Sequence, residues 1–189
     1  MDVKVDRGRA HRAIFATAAD ATSRLSRNLR DNRRQKGPYS FGVIWFLRHG
    51  DATDEAPSDA ERRLTEKGER QAAAAAGALA VLGVSLDACL SSAKRRARDT
   101  ARTVAEELGL EVEVVEALGG GDFDPLELVA GRGEVLLVGH EPDFSRAIQA
   151  LTGARVELKK GGMAAVDAGA LKSLLRAPQL RAIAGRAER

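Results

Sequence analysis

Two short apolar runs in this sequence each deliver a histidine. Val43-Ile44-Trp45-Phe46-Leu47 runs into Arg48-His49-Gly50, and Glu134-Val135-Leu136-Leu137-Val138-Gly139 runs into His140-Glu141-Pro142. The chain holds three histidines, so two of the three sit at such ends. Between them, Ser91-Ser92-Ala93-Lys94-Arg95-Arg96 brings a second arginine behind a short apolar run. A neutral imidazole can attack phosphorus, and a second one can donate hydrogen bonds. Two guanidiniums can each grip phosphate oxygens at two points. Together Arg48, His49, Ser92, Arg96 and His140 favour a phosphoryl dianion.

The elements that must position these residues are legible in outline. Val43–Leu47 and Glu134–Val138 read as buried parallel strands, Asp87–Ser91 as a second strand in chain order, and the alternating Glu111–Val115 as the third. Thr65 reads as the N-cap of a helix running to about Gly83, whose centre, Gln71 to Ala76, has small side chains suited to lying close on a sheet. After Ser92 a second helix places Ala97, Ala101, Val104 and Leu108 in one stripe. Asp124-Pro125-Leu126-Glu127 reads as a capping box, and a further helix runs from Pro142 to about Leu151, its positive end turned toward the same pocket. Arg155–Lys159 and Met163–Asp167 read as two edge strands around Gly161-Gly162, with Ala170–Leu175 a further element. The alternation predicts an α/β fold: a three-layer sandwich with a mostly parallel central sheet flanked by helices. In such sheets ligands collect beyond the carboxyl ends of the strands, where both histidines fall.

Composition narrows the function. The 189 residues suit one domain plus an extension, with 44% hydrophobic residues to fill a core. The formal charge of +3 is misleading because residues 1–40 carry ten Lys/Arg against four Asp/Glu. Residues 41–189 hold 20 basic and 23 acidic residues, a net of −3, so nucleic-acid binding by the domain is not expected. Residues 1–40, ending in Gln35-Lys36-Gly37-Pro38, read as a basic, disordered extension; 41–189 form the domain. One cysteine, Cys89, excludes an internal disulfide, and three histidines offer no zinc-type spacing. No apolar stretch approaches the roughly 18–20 residues that span a bilayer, so no membrane role is expected and the cytoplasm is the expected location.

At this point the motifs resemble a known family. Leu47-Arg48-His49-Gly50 resembles the Arg-His-Gly signature of the histidine phosphatase superfamily, which has the phosphoglycerate mutase-like fold. Leu64-Thr65-x-x-Gly68-x-x-Gln71-Ala72 resembles the helix that follows it. Ser92-Ala93-Lys94-Arg95-Arg96-Ala97-x-x-Thr100 resembles the family's Ser-Pro-x-x-Arg-Ala-x-x-Thr segment, with Ala93 in place of the proline. Val138-Gly139-His140-Glu141-Pro142 resembles its second histidine. The resemblance runs from about residue 43 to 184 and is greatest to the SixA-type phosphohistidine phosphatases.

It implies His49 as a nucleophile that becomes phosphorylated, with Arg48, Arg96 and His140 holding the phosphoryl oxygens and no metal or cofactor. Ser92 is a further phosphate-binding candidate. No residue clearly matches the general acid of larger members; Asp122 is the candidate. The expected activity is a metal-independent phosphatase acting on phosphohistidine in a protein. The alternatives are a phosphomonoesterase for a small phosphorylated metabolite or sugar, and a non-catalytic phosphate- or phosphoprotein-binding module.

Overall fold

Each apolar run that ends in a candidate site residue is a strand in the computed structural model, which describes residues 42–185. The extension expected over residues 1–40 lies outside the described residues. The strands are β1 (Ile44–Arg48), β2 (Ala88–Ser91), β3 (Val112–Val114), β4 (Val135–Gly139), β5 (Met163–Asp167) and β6 (Ala170–Leu175). The helices are α1 (Glu66–Leu82), α2 (Arg95–Leu108), the single turn α3 (Pro125–Leu128), α4 (Asp143–Thr152) and α5 (Ala177–Ala184). No helix among the described residues is long and apolar enough to cross a membrane.

The six strands form one sheet in the order β3-β2-β4-β1-β5-β6. β1 to β4 run parallel, and β5 lies antiparallel to both neighbours. β1 and β2 are consecutive in the chain, yet β4 lies between them, so connections leave the central strands in opposite directions and open a crevice at their carboxyl ends. The register brings those ends level. Arg48 lies opposite Gly139, and Ser91 opposite Val138. His49, His140 and Ser92, each just beyond its strand, therefore emerge side by side.

Helices cover both faces, as expected of a three-layer sandwich. Strand alternation sends Ile44, Phe46, Leu90 and Leu137 to one face, where they meet Phe144 and Ile148 of α4 together with Leu118 and Val129. The opposite face receives Trp45, Leu47, Cys89 and Leu136, all buried, and is covered by α1 and α2. Ala72, Ala75 and Ala78 of α1 are fully buried, and the close approach that the small side chains allow is made to the helices α2 and α5 rather than to the sheet. Thr65 caps α1 by accepting from the Gly68 amide, and left-handed Gly83 ends it. Trp45 donates its indole N–H to Glu134 Oε1 at 2.8 Å.

Three local expectations need correction. Residues 155–159 form no strand, and both edges of β5 are taken by β1 and β6. That segment is instead anchored by Leu158, which is buried and whose amide donates to Glu141 Oε1 at 3.2 Å. Met163–Asp167 is interior, with all five residues buried, and Ala170–Leu175 is the edge strand. Asp124 does cap α3, but through the Leu126 amide at 2.8 Å and without the reciprocal Glu127 bond of a capping box.

Candidate active site

The turn Arg48-His49-Gly50-Asp51 owes its shape to two glycines. A Cβ on Gly50 would come within 2.5 Å of the Gly68 carbonyl oxygen, and one on Gly68 within 2.0 Å of the Asp51 oxygen. The turn thus lies directly on the first turn of α1. Side chains of the same helix complete the seat: Gln71 Oε1 accepts from the Asp51 amide at 2.8 Å, and Thr65 Oγ1 donates to Asp51 Oδ2 at 3.0 Å. From α2, Thr100 Oγ1 accepts from the Gly50 amide at 3.1 Å and donates to the Arg96 carbonyl at 2.8 Å. On the other side, the Gly161 amide donates to the Arg48 and His49 carbonyls.

Within this frame the side chain of His49 is 6% exposed. Its Nδ1 lies 2.6 Å from the Gly50 carbonyl, which can only accept, so Nδ1 carries the proton and Nε2 presents a lone pair. Arg96 Nε donates to that Nε2 at 3.2 Å. Burial pushes the His49 pKa down to about 4, with Arg96, Arg48 and Lys160 adding to the effect, so the ring is neutral at pH 7.

His140 faces it at 5.0 Å between ring centroids. Its Nε2 lies 2.9 Å from Ser92 Oγ, which already accepts from the Lys94 amide at 3.2 Å. A fully buried hydroxyl needs an acceptor for its hydrogen, and His140 Nε2 is the one at hand. Nδ1 of His140 is then the protonated nitrogen, and it is buried without a partner. Burial lowers the His140 pKa to about 3, with His49 and Arg96 contributing.

The two arginines are held differently from the histidines. Arg48 Nη1 donates to the Leu158 carbonyl at 2.8 Å, while its Nε is buried and unpartnered. Arg96 is 5% exposed; Nη1 donates to the Asp59 carbonyl at 2.6 Å and Nη2 to Asp59 Oδ2 at 3.2 Å. Buried donors without partners, Arg48 Nε and His140 Nδ1, are costly in an apolar protein and suited to an anion with several oxygens.

The structure therefore brings together His49, Arg96, His140 and Ser92, with Arg48 close enough to depress His49. The side chain of Asp122 is 89% exposed and pairs with Arg146 Nε at 3.3 Å. The positive end of α4 carries a buried carboxylate of its own, Asp143, which accepts from the Gly121 amide and from Arg146. Of the basic residues following Ser92, Lys94 reaches the site's edge and pairs with Asp59 at 2.9 Å, whereas Arg95 and Arg102 pair with Asp99. Sequence reasoning missed Asp59, and also Asp51, whose Oδ1 binds Lys160 at 2.7 Å.

Residues 44–134 match the histidine phosphatase superfamily (branch 1). An uncharacterised protein of Picosynechococcus is 35% identical over 143 residues, covering 68% of this chain and 87% of that protein. The structure of the protein histidine phosphatase SixA complexed with tungstate is similar with a TM-score of 0.64 and 25% identity, over 73% of this chain and 99% of that one. The alpha-ribazole phosphatase of Shigella flexneri shares the fold with a TM-score of 0.57 and 21% identity, over 71% of this chain and 94% of that one.

Proposed function

We propose, from the premise that the chain belongs to the histidine phosphatase superfamily, that it hydrolyses phosphohistidine on a protein, with His49 as the acceptor of the phosphoryl group. Phosphatase activity comes with the family; the substrate and the residue roles are our reading of the site.

In this reading the Arg96 Nε–H releases the Nε2 lone pair of neutral His49 as substrate enters, and that lone pair attacks phosphorus in line. The N–P bond of the substrate breaks, and its imidazole departs with the electron pair, neutral because its other ring nitrogen keeps a proton. Arg48, Arg96 and the neutral His140, through Nδ1–H, hold the three phosphoryl oxygens, and the two arginines supply the positive charge that metal ions supply in many phosphoryl-transfer enzymes. The Gly50 carbonyl, at Nδ1, stabilises the cationic ring of phosphorylated His49. Water then attacks phosphorus, the His49 N–P bond breaks, the ring returns neutral, and the water's proton leaves with inorganic phosphate.

One observation carries the choice of substrate: the two aspartates bordering the site are tied to cations. Asp59 is held far below the usual carboxylate range, first by its bond to Lys94 and then by Arg96; Asp51 is lowered chiefly by Lys160. Neither can donate a proton near neutrality. An alkoxide leaves poorly without an acid, whereas imidazole, with a conjugate-acid pKa of about 6.5, leaves readily. The stretch 116–133 supports the same reading, because Leu118, Phe123, Leu126 and Val129 are spent on the core around Phe144. A crevice bordered in this way suits a side chain projecting from another protein.

Side-by-side kinetics test the reading. Phosphohistidine in a carrier protein should be cleaved much faster than a sugar phosphate. A clear preference for the sugar phosphate would hand the function to the metabolite-phosphatase alternative.

A further inference from the structure

The loop between β1 and α1 contributes a residue that the phosphoryl chemistry alone does not call for. We propose that Asp59 is a positioning residue for Arg96: it fixes the guanidinium so that Arg96 Nε faces His49 Nε2 while one N–H on each terminal nitrogen stays free. The inference rests on the phosphatase reading above.

The geometry is a two-point clamp from a single residue. Asp59 lies in a short 3-10 turn, Asp59–Glu61. Its main-chain carbonyl takes Arg96 Nη1 at 2.6 Å and its carboxylate takes Nη2 at 3.2 Å. A guanidinium has five N–H groups in one plane, so fixing both terminal nitrogens fixes the direction of the third. That third nitrogen is the one bound to His49. Three of the five donors are thus engaged, leaving one on each terminal nitrogen for phosphoryl oxygens.

The turn is itself held in place. Arg62, three residues on, donates through Nε to the Thr53 carbonyl at 2.7 Å and pairs with Asp54 and Asp59. Lys94, at the start of α2, binds the same Asp59 oxygen at 2.9 Å. Asp59 therefore ties the loop to the helix that carries Arg96.

Charge makes a separate prediction from geometry. Asp59 offsets Lys94 and Asp51 offsets Lys160, which leaves Arg48 and Arg96 to meet a dianion. If the carboxylate only moderated the charge, its removal would tighten anion binding and change little else. If it positions Arg96, its removal must also slow the chemical step, because a misdirected guanidinium still attracts phosphate but no longer follows the oxygens through the transition state.

The experiment measures kcat on an aryl phosphate and the inhibition constant for inorganic phosphate in the full chain, its Asp59→Ala and Asp59→Asn variants, and His49→Ala. We expect Asp59→Ala to lower kcat at least about tenfold while phosphate inhibits as well as before or better. Asparagine keeps an oxygen for Nη2 but loses the charge, so Asp59→Asn should recover part of the lost kcat and keep the tighter inhibition. An unchanged kcat in Asp59→Ala would overturn the proposal. So would an Asn variant no better than Ala, or inhibition that weakens in step with kcat. Should the Ala variant fail to fold, the Asn variant decides: kcat below wild type with undiminished inhibition supports the clamp, and wild-type kcat overturns it. His49→Ala separates the two levels, since turnover surviving there sinks the phosphatase mechanism whatever Asp59 does.

Discussion

The strand ends and the two loops flanking them divide the work at this site. The carboxyl ends of β1, β2 and β4 supply side chains: Arg48 and His49, Ser92, and His140, with Arg96 one helical turn beyond. The loops at 51–64 and 155–162 supply mostly main chain. The Leu158 carbonyl holds Arg48, the Asp59 carbonyl holds Arg96, and the Gly161 amide pins the Arg48 and His49 carbonyls. The difference teaches that the candidate reacting groups are encoded by residue type, while their aim is encoded largely by backbone carbonyls and amides, with the Asp59 carboxylate joining them at Arg96.

The sharpest way to break that division is at His49. His49→Ala should cut kcat/KM by at least about a thousandfold, roughly 4 kcal/mol, and acid-labile phosphate should no longer be trapped by rapid quench. Substantial residual activity would move the reacting group away from the strand end.

The backbone side of the comparison is tested at Gly68, which touches no reacting atom. Gly68→Ala places a methyl against the Asp51 carbonyl, so the turn or the helix must shift, at a cost of about 1–3 kcal/mol. Thermal unfolding should move down by several degrees and activity should fall with it. Wild-type stability would mean that the contact between turn and helix is soft.

Arg96→Lys separates charge from aim. The ammonium keeps the charge but cannot meet His49, the Asp59 carbonyl and the Asp59 carboxylate at once. Catalytic efficiency should drop at least about tenfold, close to 1.4 kcal/mol. An unchanged efficiency would make orientation irrelevant here.

The smallest expected signal is an absence of titration. Both histidines lie well below their ordinary value of 6.5, so their ring resonances should stay flat from pH 8 to 5 and move only toward about 4 and about 3. The sign for stability follows. As pH falls below 6.5 the unfolded chain takes up these protons first, so stability declines from there until each folded pKa is passed. Titration near 6.5 in the folded protein would show the pair to be solvated.

Much of this was readable in the sequence for physical reasons. β1 and β4 announce themselves because buried parallel strands are continuous apolar runs, and Arg-His-Gly cannot belong to such a core. Thr65, Gly68, Gln71 and Thr100 were visible as motif positions, and the structure shows why those types are needed: each contacts or caps the turn after His49. Asp59 was not legible, since one aspartate among five acidic residues between 51 and 61 carries no periodic mark. Residues 155–159 misled because alternation cannot report that both edges of β5 are taken by β1 and β6. Asp122 stood out in its glycine-rich setting, but its carboxylate goes to Arg146.

Trp45 has a practical consequence. It is the chain's one tryptophan, it is 1% exposed, and it sits four positions before His49 in the central strand. Its emission is a built-in optical reporter: sheltered from water, it should be blue-shifted in the native state and redden when β1 separates from its neighbours. Tyrosine aside, nothing else in the 189 residues will fluoresce near it, so fraying elsewhere leaves the spectrum quiet. A denaturation curve read at this wavelength follows the strand that ends in Arg48 and His49.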